Sequence, residues 1–296
     1  MSRDRAYKRI ELTPRDVRLF QVLNRYRYLR STFVQAFVGG NPVALRWRLR
    51  DLFDGGYLAR PEQQWQSVNA RYMPTIYELD QKGVAVLKDC GLDSSFARVT
   101  VRPGRDAPHH QFPHDLMVCD ILASIELGVI LDPALQFITV HEILERAPEN
   151  TKLLRKPLAM ALANTEVVPD ALFGVRYPEG VRFFALEADR NNEPIRRRLS
   201  GSSYERKIAA YKQIVDQKIY KSHFGIPNLL VLNVTTNPTH MNNIMALVKQ
   251  MVGQSRFFLF KTMSSLGDFA KAPSPTPHML TAAWQRVGHE PFAMNK

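Results

Sequence analysis

Paired helix-start and helix-stop signals divide residues 13–56 into short segments. Thr13-Pro14 and Asn41-Pro42 each place a capping side chain before a proline at the first helical position. Gly39-Gly40 and Gly55-Gly56 supply the glycines that commonly end helices. Between them, Ser31 or Thr32 can begin a further helix. These signals predict three short helices in succession.

The segment that follows predicts a hairpin. Two candidate strands, at 57–60 and 71–79, flank a polar loop at 61–70, and residues 80–88 form a short closing helix. Three helices followed by a hairpin is the order of a winged helix-turn-helix domain. In that fold the third helix enters the major groove of DNA and the wing contacts the backbone.

The charge distribution indicates a polyanionic partner. The chain has 40 Lys and Arg against 28 Asp and Glu, a net charge of +12, and residues 1–60 alone carry +8. We therefore expect the first segment to bind double-stranded DNA. Its arginines either contact base edges, contact phosphates or form a solvated surface. The candidate DNA-binding residues are Arg46, Trp47, Arg48, Arg50, Arg60 and Arg71.

Several other protein classes are disfavoured. The chain has only two cysteines, lacks an apolar signal segment and contains no apolar run long enough to span a membrane. We therefore expect a cytoplasmic protein without a membrane partner. His109, His110 and His114 lack zinc-finger spacing with a cysteine, and no phosphate-binding loop of the ATPase type is present. An oligomer is compatible with the sequence.

Composition and the positions of glycine and proline also predict the domain boundaries. We expect a winged-helix domain at 1–90, a linker at 91–113, a second domain at 114–262 and an irregular tail at 263–296. The second domain alternates apolar strands and helices in the order α-β-β-β-α-β-α-β. Its strands are expected at 135–140, 166–175, 181–189, 228–235 and 256–261, and Ser202 is the expected N-cap of the helix before residue 218.

Acidic residues recur at strand ends in this second domain. Asp170 follows Val168-Pro169, and Glu187 and Asp189 end the next strand on the same face. If Asp170 lies alongside, three carboxylates converge, and a cation is the usual reason for such an arrangement. Mg²⁺ suits oxygen ligands and can activate a water for attack on a phosphodiester. The alternative is that these acids pair with nearby arginines or form turns.

The spacing Pro169-Asp170 to Glu187-x-Asp189 in an αβββαβ order resembles the PD-(D/E)xK nuclease superfamily. The chain as a whole resembles the replication-relaxation family of plasmids and integrative elements, in which a winged helix is joined to such a region. The matching pieces are Leu45 to Tyr57, Tyr77 to Gly83, His114 to Leu116, Val168 to Ala171, Leu186 to Arg190 and Lys207 to Tyr211. The resemblance implies an α/β (α+β) fold, with Asp170 and Glu187 as metal ligands. It also implies replication or mobilisation proteins as partners.

One position departs from the nuclease pattern. Asp189 stands where the pattern requires a lysine that orients the attacking water. Lys207 can replace that lysine, since it shares a helix stripe with Ile208 and Tyr211, or it can simply cover apolar surface. The catalytic candidates are therefore Asp170, Glu187, Asp189 and Lys207.

Two mechanisms remain open for a DNA-binding protein of a mobile element. The first is a Mg²⁺-dependent endonuclease or nickase. The alternative is a catalytically inactive accessory or initiator factor, or a transcriptional regulator that binds duplex DNA.

Overall fold

The computed structural model describes residues 10–66, 72–92, 111–190, 203–263 and 271–296. The chain divides into two compact units, residues 1–123 with 268–276 and residues 124–267 with 277–296. It is a mixed α/β protein, as the sequence predicts. The domain boundaries expected at 90 and 113 stay predictions, because most of the segment between them lies outside the described residues. No helix in the described ranges is long and apolar enough to cross a membrane.

The first unit contains short helices and a small antiparallel sheet. In chain order its elements are α1 (Pro14–Arg25), β1 (Leu29–Arg30), α2 (Ser31–Val38), α3 (Pro42–Asp54), β2 (Leu58–Ala59), a 3₁₀ helix (Glu62–Gln66), β3 (Ile76–Leu79) and α4 (Gln81–Asp89). The described strands pair in the order β1-β3-β2. The three helices and the closing helix are confirmed. The second predicted strand is shorter than expected, since β3 begins at Ile76, and a 3₁₀ helix occupies much of the predicted loop.

Side-chain caps set two of the three helix starts. Thr13 and Asp16 form a capping box at the start of α1, and the Asn41 side chain accepts hydrogen bonds from the backbone N–H groups of Val43 and Ala44. The helix start expected at Ser31 or Thr32 is confirmed. Helix α2 begins at Ser31 directly after strand β1, and its N-cap residue Arg30 makes no side-chain capping bond.

An ion pair joins the first and third helices of this unit. The Asp16 carboxylate, besides capping α1, accepts hydrogen bonds from Arg48 Nε at 2.9 Å and from Arg48 Nη2 at 2.5 Å. Burial would raise the pKa of Asp16, but the bonds from Arg48 and Thr13 outweigh it and hold that pKa below its usual value. Leu45, Leu49 and Leu52 on α3 are buried, as their spacing predicts.

Helix α5 (Phe112–Leu131) crosses the boundary between the two units in the sequence. The second unit then contains β4 (Gln136–Ile138), α6 (Val140–Glu145), α7 (Glu149–Lys152), β5 (Met160–Ala161), β6 (Glu166–Val167), β7 (Ala171–Tyr177), β8 (Gly180–Asp189), α8 (Tyr204–Asp216), α9 (Ile219–Phe224), β9 (Leu230–Thr235), α10 (Pro238–Val252), β10 (Phe258–Thr262), α11 (His278–Thr281), β11 (Trp284–Arg286) and β12 (His289–Phe292).

The main sheet of the second unit has the strand order β12-β11-β10-β9-β8-β7-β4 among the described residues. Strand β8 pairs antiparallel with β7 and parallel with β9, and β9 pairs parallel with β10. The hairpin predicted around residues 177–180 is confirmed. Helix α10 packs against α8, β9 and β10, which places two helices over the parallel strands.

Three expectations for this unit are wrong. The strand predicted at 166–175 is instead two strands, β6 and β7, because Val168-Pro169-Asp170 interrupts the extended segment. Strand β6 pairs with β5 outside the main sheet. The N-cap of α8 is Ser203, whose Oγ accepts from Arg206 N, so the predicted cap at Ser202 is displaced by one residue. The tail is also ordered where it is described, since β11 and β12 extend the sheet.

We predict that the Asp16–Arg48 pair is a main support of the first unit. Asp16→Ala should lower its free energy of unfolding by about 3 kcal/mol, because the substitution removes a helix cap and the carboxylate that pairs with Arg48. The matched control is Asp54→Ala, which removes an exposed acid paired with Arg50 and should cost under about 0.5 kcal/mol. Denaturation by urea measures both.

The contribution of Asp16 to the free energy of unfolding depends on pH with a defined sign. The folded-state pKa of Asp16 is lowered, so its contribution is present above its ordinary pKa of 3.8 and is lost as the pH falls through the lower folded value. The destabilisation by Asp16→Ala should therefore shrink in strong acid. Equal destabilisation at neutral and strongly acidic pH would contradict this assignment.

Candidate functional site

The outer side of α3 carries three of the predicted DNA-binding residues. Arg46, Trp47 and Arg50 are all exposed. The Arg50 guanidinium lies 5.8 Å from the centroid of the Trp47 ring and 3.7 Å from a carboxylate oxygen of Asp54. This side of the helix therefore presents cations and an aromatic ring to solvent.

The other arginines proposed for DNA binding have different surroundings. Arg48 is bonded to Asp16 and to the backbone of Glu11, so the expectation that it faces DNA is not met. Arg60 stacks over Phe53, with its guanidinium 4.1 Å from the ring centroid, and donates to the Tyr77 hydroxyl at 3.1 Å. Both arginines support the fold of the unit, and Arg71 lies outside the described residues.

In the second unit, two carboxylates meet across the β7–β8 hairpin. Ala171 pairs with Leu186, and Asp170 N donates to Leu186 O at 2.9 Å, which is one residue out of the ladder register. Asp170 therefore lies beside strand β8 next to Glu187, close enough for its charge to act on that carboxyl. Asp170 is further held by the Ala188 backbone N–H, which donates to its Oδ2 at 2.8 Å. Asp170 is partly exposed, whereas Glu187 is buried.

Helix α8 supplies the partners of Glu187. Lys207 Nζ donates to Glu187 Oε2 at 2.8 Å, and the Tyr211 hydroxyl donates to Glu187 Oε1 at 2.5 Å. Lys207 and Tyr211 are four residues apart and so share one face of the helix. The Lys207 side chain is 30% exposed against 4% for Glu187, so the ammonium reaches solvent while the carboxylate does not.

Burial dominates the electrostatics of this carboxylate. It raises the pKa of Glu187 to about 6, and the negative charge of Asp170 adds to the increase while Lys207 and Tyr211 oppose it. The same burial, together with the Glu187 charge, raises the pKa of Tyr211 well above its ordinary value. Tyr211 therefore remains a hydrogen-bond donor at neutral pH, and Glu187 is an acid whose charge the protein only partly compensates.

The third predicted carboxylate has a separate partner. Asp189 Oδ2 lies 2.7 Å from His240 Nε2, on the first turn of α10, and Tyr204 packs edge-on against the His240 ring. The described residues contain no group of three His, Cys, Asp or Glu side chains that could hold a metal ion. The expectation that three carboxylates converge is therefore wrong. Asp170 and Glu187 remain as a neighbouring pair.

This pair is better suited to a small hard cation that keeps several waters than to a metal that needs many protein ligands. Mg²⁺ binds carboxylate oxygens, usually takes one or two of them and keeps several waters. Burial is the main cause of the raised pKa of Glu187, and the negative charge of Asp170 adds to it, so a cation would relieve this part of the cost. The donor chemistry is thus compatible with Mg²⁺ bound by Asp170 and Glu187.

The sequence analysis missed His240. Its position could have been found, because Asn237-Pro238 starts a helix directly after strand β9, and β9 lies parallel to β8. The carboxyl ends of parallel strands share one edge of the sheet, so a side chain at the start of α10 comes near Asp189 at the end of β8. Tyr211 was noted only as a neighbour of Lys207 on the helix stripe.

We predict that Glu187 reduces stability at neutral pH. The pKa of Glu187 rises from 4.5 to about 6 on folding. Below pH 4.5 the carboxyl is protonated in both states, so it does not lower the free energy of unfolding. Above about pH 6 it is ionised in both states, and the full cost of burying the charge lowers that free energy. Glu187→Gln, which resembles the protonated acid, should raise the free energy of unfolding by about 1–2 kcal/mol at pH 8 and leave it unchanged at pH 4.

Glu166→Gln is the control for this measurement, because Glu166 is an exposed acid whose Lys156 partner is also exposed. It should change stability little at either pH. If Glu187→Gln instead destabilises the protein at pH 8, the ion pair with Lys207 outweighs the burial of Glu187.

Comparison with known proteins identifies one family. The model of the replication-relaxation family matches residues 20–230, which include α3, the Asp170–Glu187 pair and Lys207. No curated protein and no solved structure matches the chain. The match covers more than half of the 296 residues and spans parts of both compact units. The chain belongs to the replication-relaxation family.

Proposed function

We propose that this protein binds duplex DNA through its first unit and cleaves DNA with Mg²⁺ at Asp170 and Glu187. The observation that carries the cleavage proposal is the pair of neighbouring carboxylates, Asp170 and Glu187, with Lys207 Nζ 2.8 Å from Glu187. Two acids and a lysine are the residue types that the nuclease pattern uses. Here the lysine comes from helix α8 rather than from the position occupied by Asp189.

The residues of the chain would have separate tasks in this reaction. Asp170 and Glu187 would hold Mg²⁺, which when bound supplies charge to polarise a phosphodiester and lowers the pKa of a water. Lys207, whose ammonium is partly exposed, would orient the attacking water and offset charge on the phosphate. Tyr211 would fix the position of Glu187 through its hydrogen bond, since it is too weak an acid to lose its proton at neutral pH.

The DNA-binding proposal is supported by the first unit. Three helices precede an antiparallel hairpin, which is the element order of a winged helix, and the outer side of α3 carries exposed Arg46, Trp47 and Arg50. In a winged helix this would be the helix that enters the major groove. The family match adds replication as the biological setting and suggests further partners among replication proteins.

A second candidate function is a non-hydrolytic accessory factor in replication. It is favoured by the local charge compensation, because Lys207 and Tyr211 already bond both Glu187 oxygens, and His240 already bonds Asp189. In this alternative the carboxylate network holds the sheet and helices together without a metal.

Cleavage is tested on supercoiled plasmid with Mg²⁺, Mn²⁺ or EDTA. We expect metal-dependent open-circle or linear product, and we expect Asp170→Asn, Glu187→Gln and Lys207→Met each to lower its rate by at least about 100-fold. Lys212→Met is the matched control, because Lys212 is on the same helix and forms an exposed pair with Asp216. It should leave the rate unchanged.

A plasmid that stays intact with every metal would support the accessory factor, provided that the protein still shifts DNA on a gel. Cleavage that survives in both Asp170→Asn and Glu187→Gln would contradict the assigned site. Circular dichroism of each variant checks that the fold is retained.

DNA binding is tested by the salt dependence of affinity. If Arg46 and Arg50 contact phosphates, replacing either by Ala should reduce the slope of log K against log salt by about 0.9. If they contact bases, the substitution should instead cost about 1–3 kcal/mol at the preferred site only. Lys88→Ala removes an exposed cation from α4 of the same unit and should do neither. Unchanged binding in both arginine variants would contradict the α3 interface.

A further inference from the structure

Helix α3 exposes apolar as well as basic side chains. Leu45, Leu49 and Leu52 face the core, whereas Val43 is 51% exposed and Trp47 is 61% exposed on the opposite side. Residues four apart lie one above the other on a helix, so Val43 and Trp47 form one continuous apolar strip. An exposed tryptophan beside an exposed valine is a feature that neither capping nor core packing explains.

Exposed cations accompany this strip. Arg46 precedes Trp47 and Arg50 follows it one turn later, with the Arg50 guanidinium 5.8 Å from the Trp47 ring centroid. Two acids of α3 lie near them, Asp54 at the C-terminal end, 3.7 Å from Arg50, and Asp51 one turn after Trp47. The N-terminal and central turns of the outer side therefore combine positive charge with apolar surface. A negatively charged partner with apolar groups of its own would match both.

The major groove of DNA offers negative charge and an apolar group in one place. Arginine bonds to phosphates or to guanine, but it does not mark an A·T pair in the groove. The feature that an apolar side chain can detect there is the 5-methyl group of thymine. A helix that presents Val43 and Trp47 beside Arg46 and Arg50 can therefore distinguish thymine from the other bases by contact with this methyl group.

We propose that Val43 and Trp47 contact thymine methyl groups and so determine part of the DNA sequence that this protein prefers. This inference rests on the proposed binding of duplex DNA by α3. Burial of one methyl-sized group contributes about fourfold in affinity, so one or two such contacts give a measurable preference without dominating binding.

The experiment removes the methyl group without changing base pairing. A preferred duplex is first selected from random sequences with the full-length protein. Each thymine is then replaced by deoxyuridine, and affinity is measured by fluorescence anisotropy in EDTA so that cleavage cannot interfere. For the wild type we expect about a fourfold loss at one or two positions. Val43→Ala and Trp47→Ala should bind the thymine duplex more weakly and lose most of the difference between thymine and deoxyuridine.

Trp65→Ala is the matched control, because Trp65 is also exposed, at 48%, but lies on the 3₁₀ helix rather than on α3. It should keep the wild-type sensitivity to deoxyuridine. The proposal is overturned if the selected sequences lack thymine or if the wild type is indifferent to deoxyuridine. It is also overturned if Trp47→Ala and Val43→Ala are as sensitive as the wild type. A protein that retains no duplex in the selection would overturn the proposed DNA binding itself, which is a different result.

Discussion

Burial of negative charge in strand β8 determines how the second unit is assembled. This strand lies between β7 and β9, so Glu187 and Asp189 are taken almost completely out of water. A buried carboxylate needs charged or hydrogen-bonding partners, and the neighbouring strands supply mainly backbone and apolar groups. The partners come from the helices, with Lys207 and Tyr211 on α8 and His240 on α10. The same contacts therefore set the face that each helix turns toward the sheet and the geometry of the candidate site.

The arginines of α3 also have different roles. The leucines of α3 pack in the core, and Arg48 donates a hydrogen bond to Asp16 at the start of α1. Both contacts fix the position of the helix. Because Arg48 is engaged in this way, the positive charge that α3 offers to a partner is that of Arg46 and Arg50. One arginine of the cluster thus fixes the orientation of the helix, while two others remain on its outer side. Net charge in the sequence did not distinguish these roles, because it counts all three alike.

Local signals in the sequence were sufficient for much of the fold. Helix starts at Thr13-Pro14 and Asn41-Pro42 are encoded within three or four residues, and both are confirmed. Two of the features that the sequence did not predict depend on contacts between distant residues. Strand β11 joins the sheet by pairing with β10, and nothing near Trp284 indicates that partner. In the same way, His240 reaches Asp189 across 51 residues of sequence, so the residue types alone did not connect them.

The substitution of Asp189 for the expected lysine changes the charge balance of the site in a specific way. His240 bonds Asp189, and this leaves Asp170 and Glu187 with Lys207 as the charged groups of the neighbouring pair. Two acids and one ammonium carry a net negative charge when both acids are ionised, which repels a phosphate unless a cation is bound. Under the proposed function, affinity for DNA in the absence of metal would therefore come from other surfaces of the chain. The strongly basic first segment, with a net charge of +8 in residues 1–60, is suited to supply it. Binding and cleavage would then depend on different residues, with metal required only for the second.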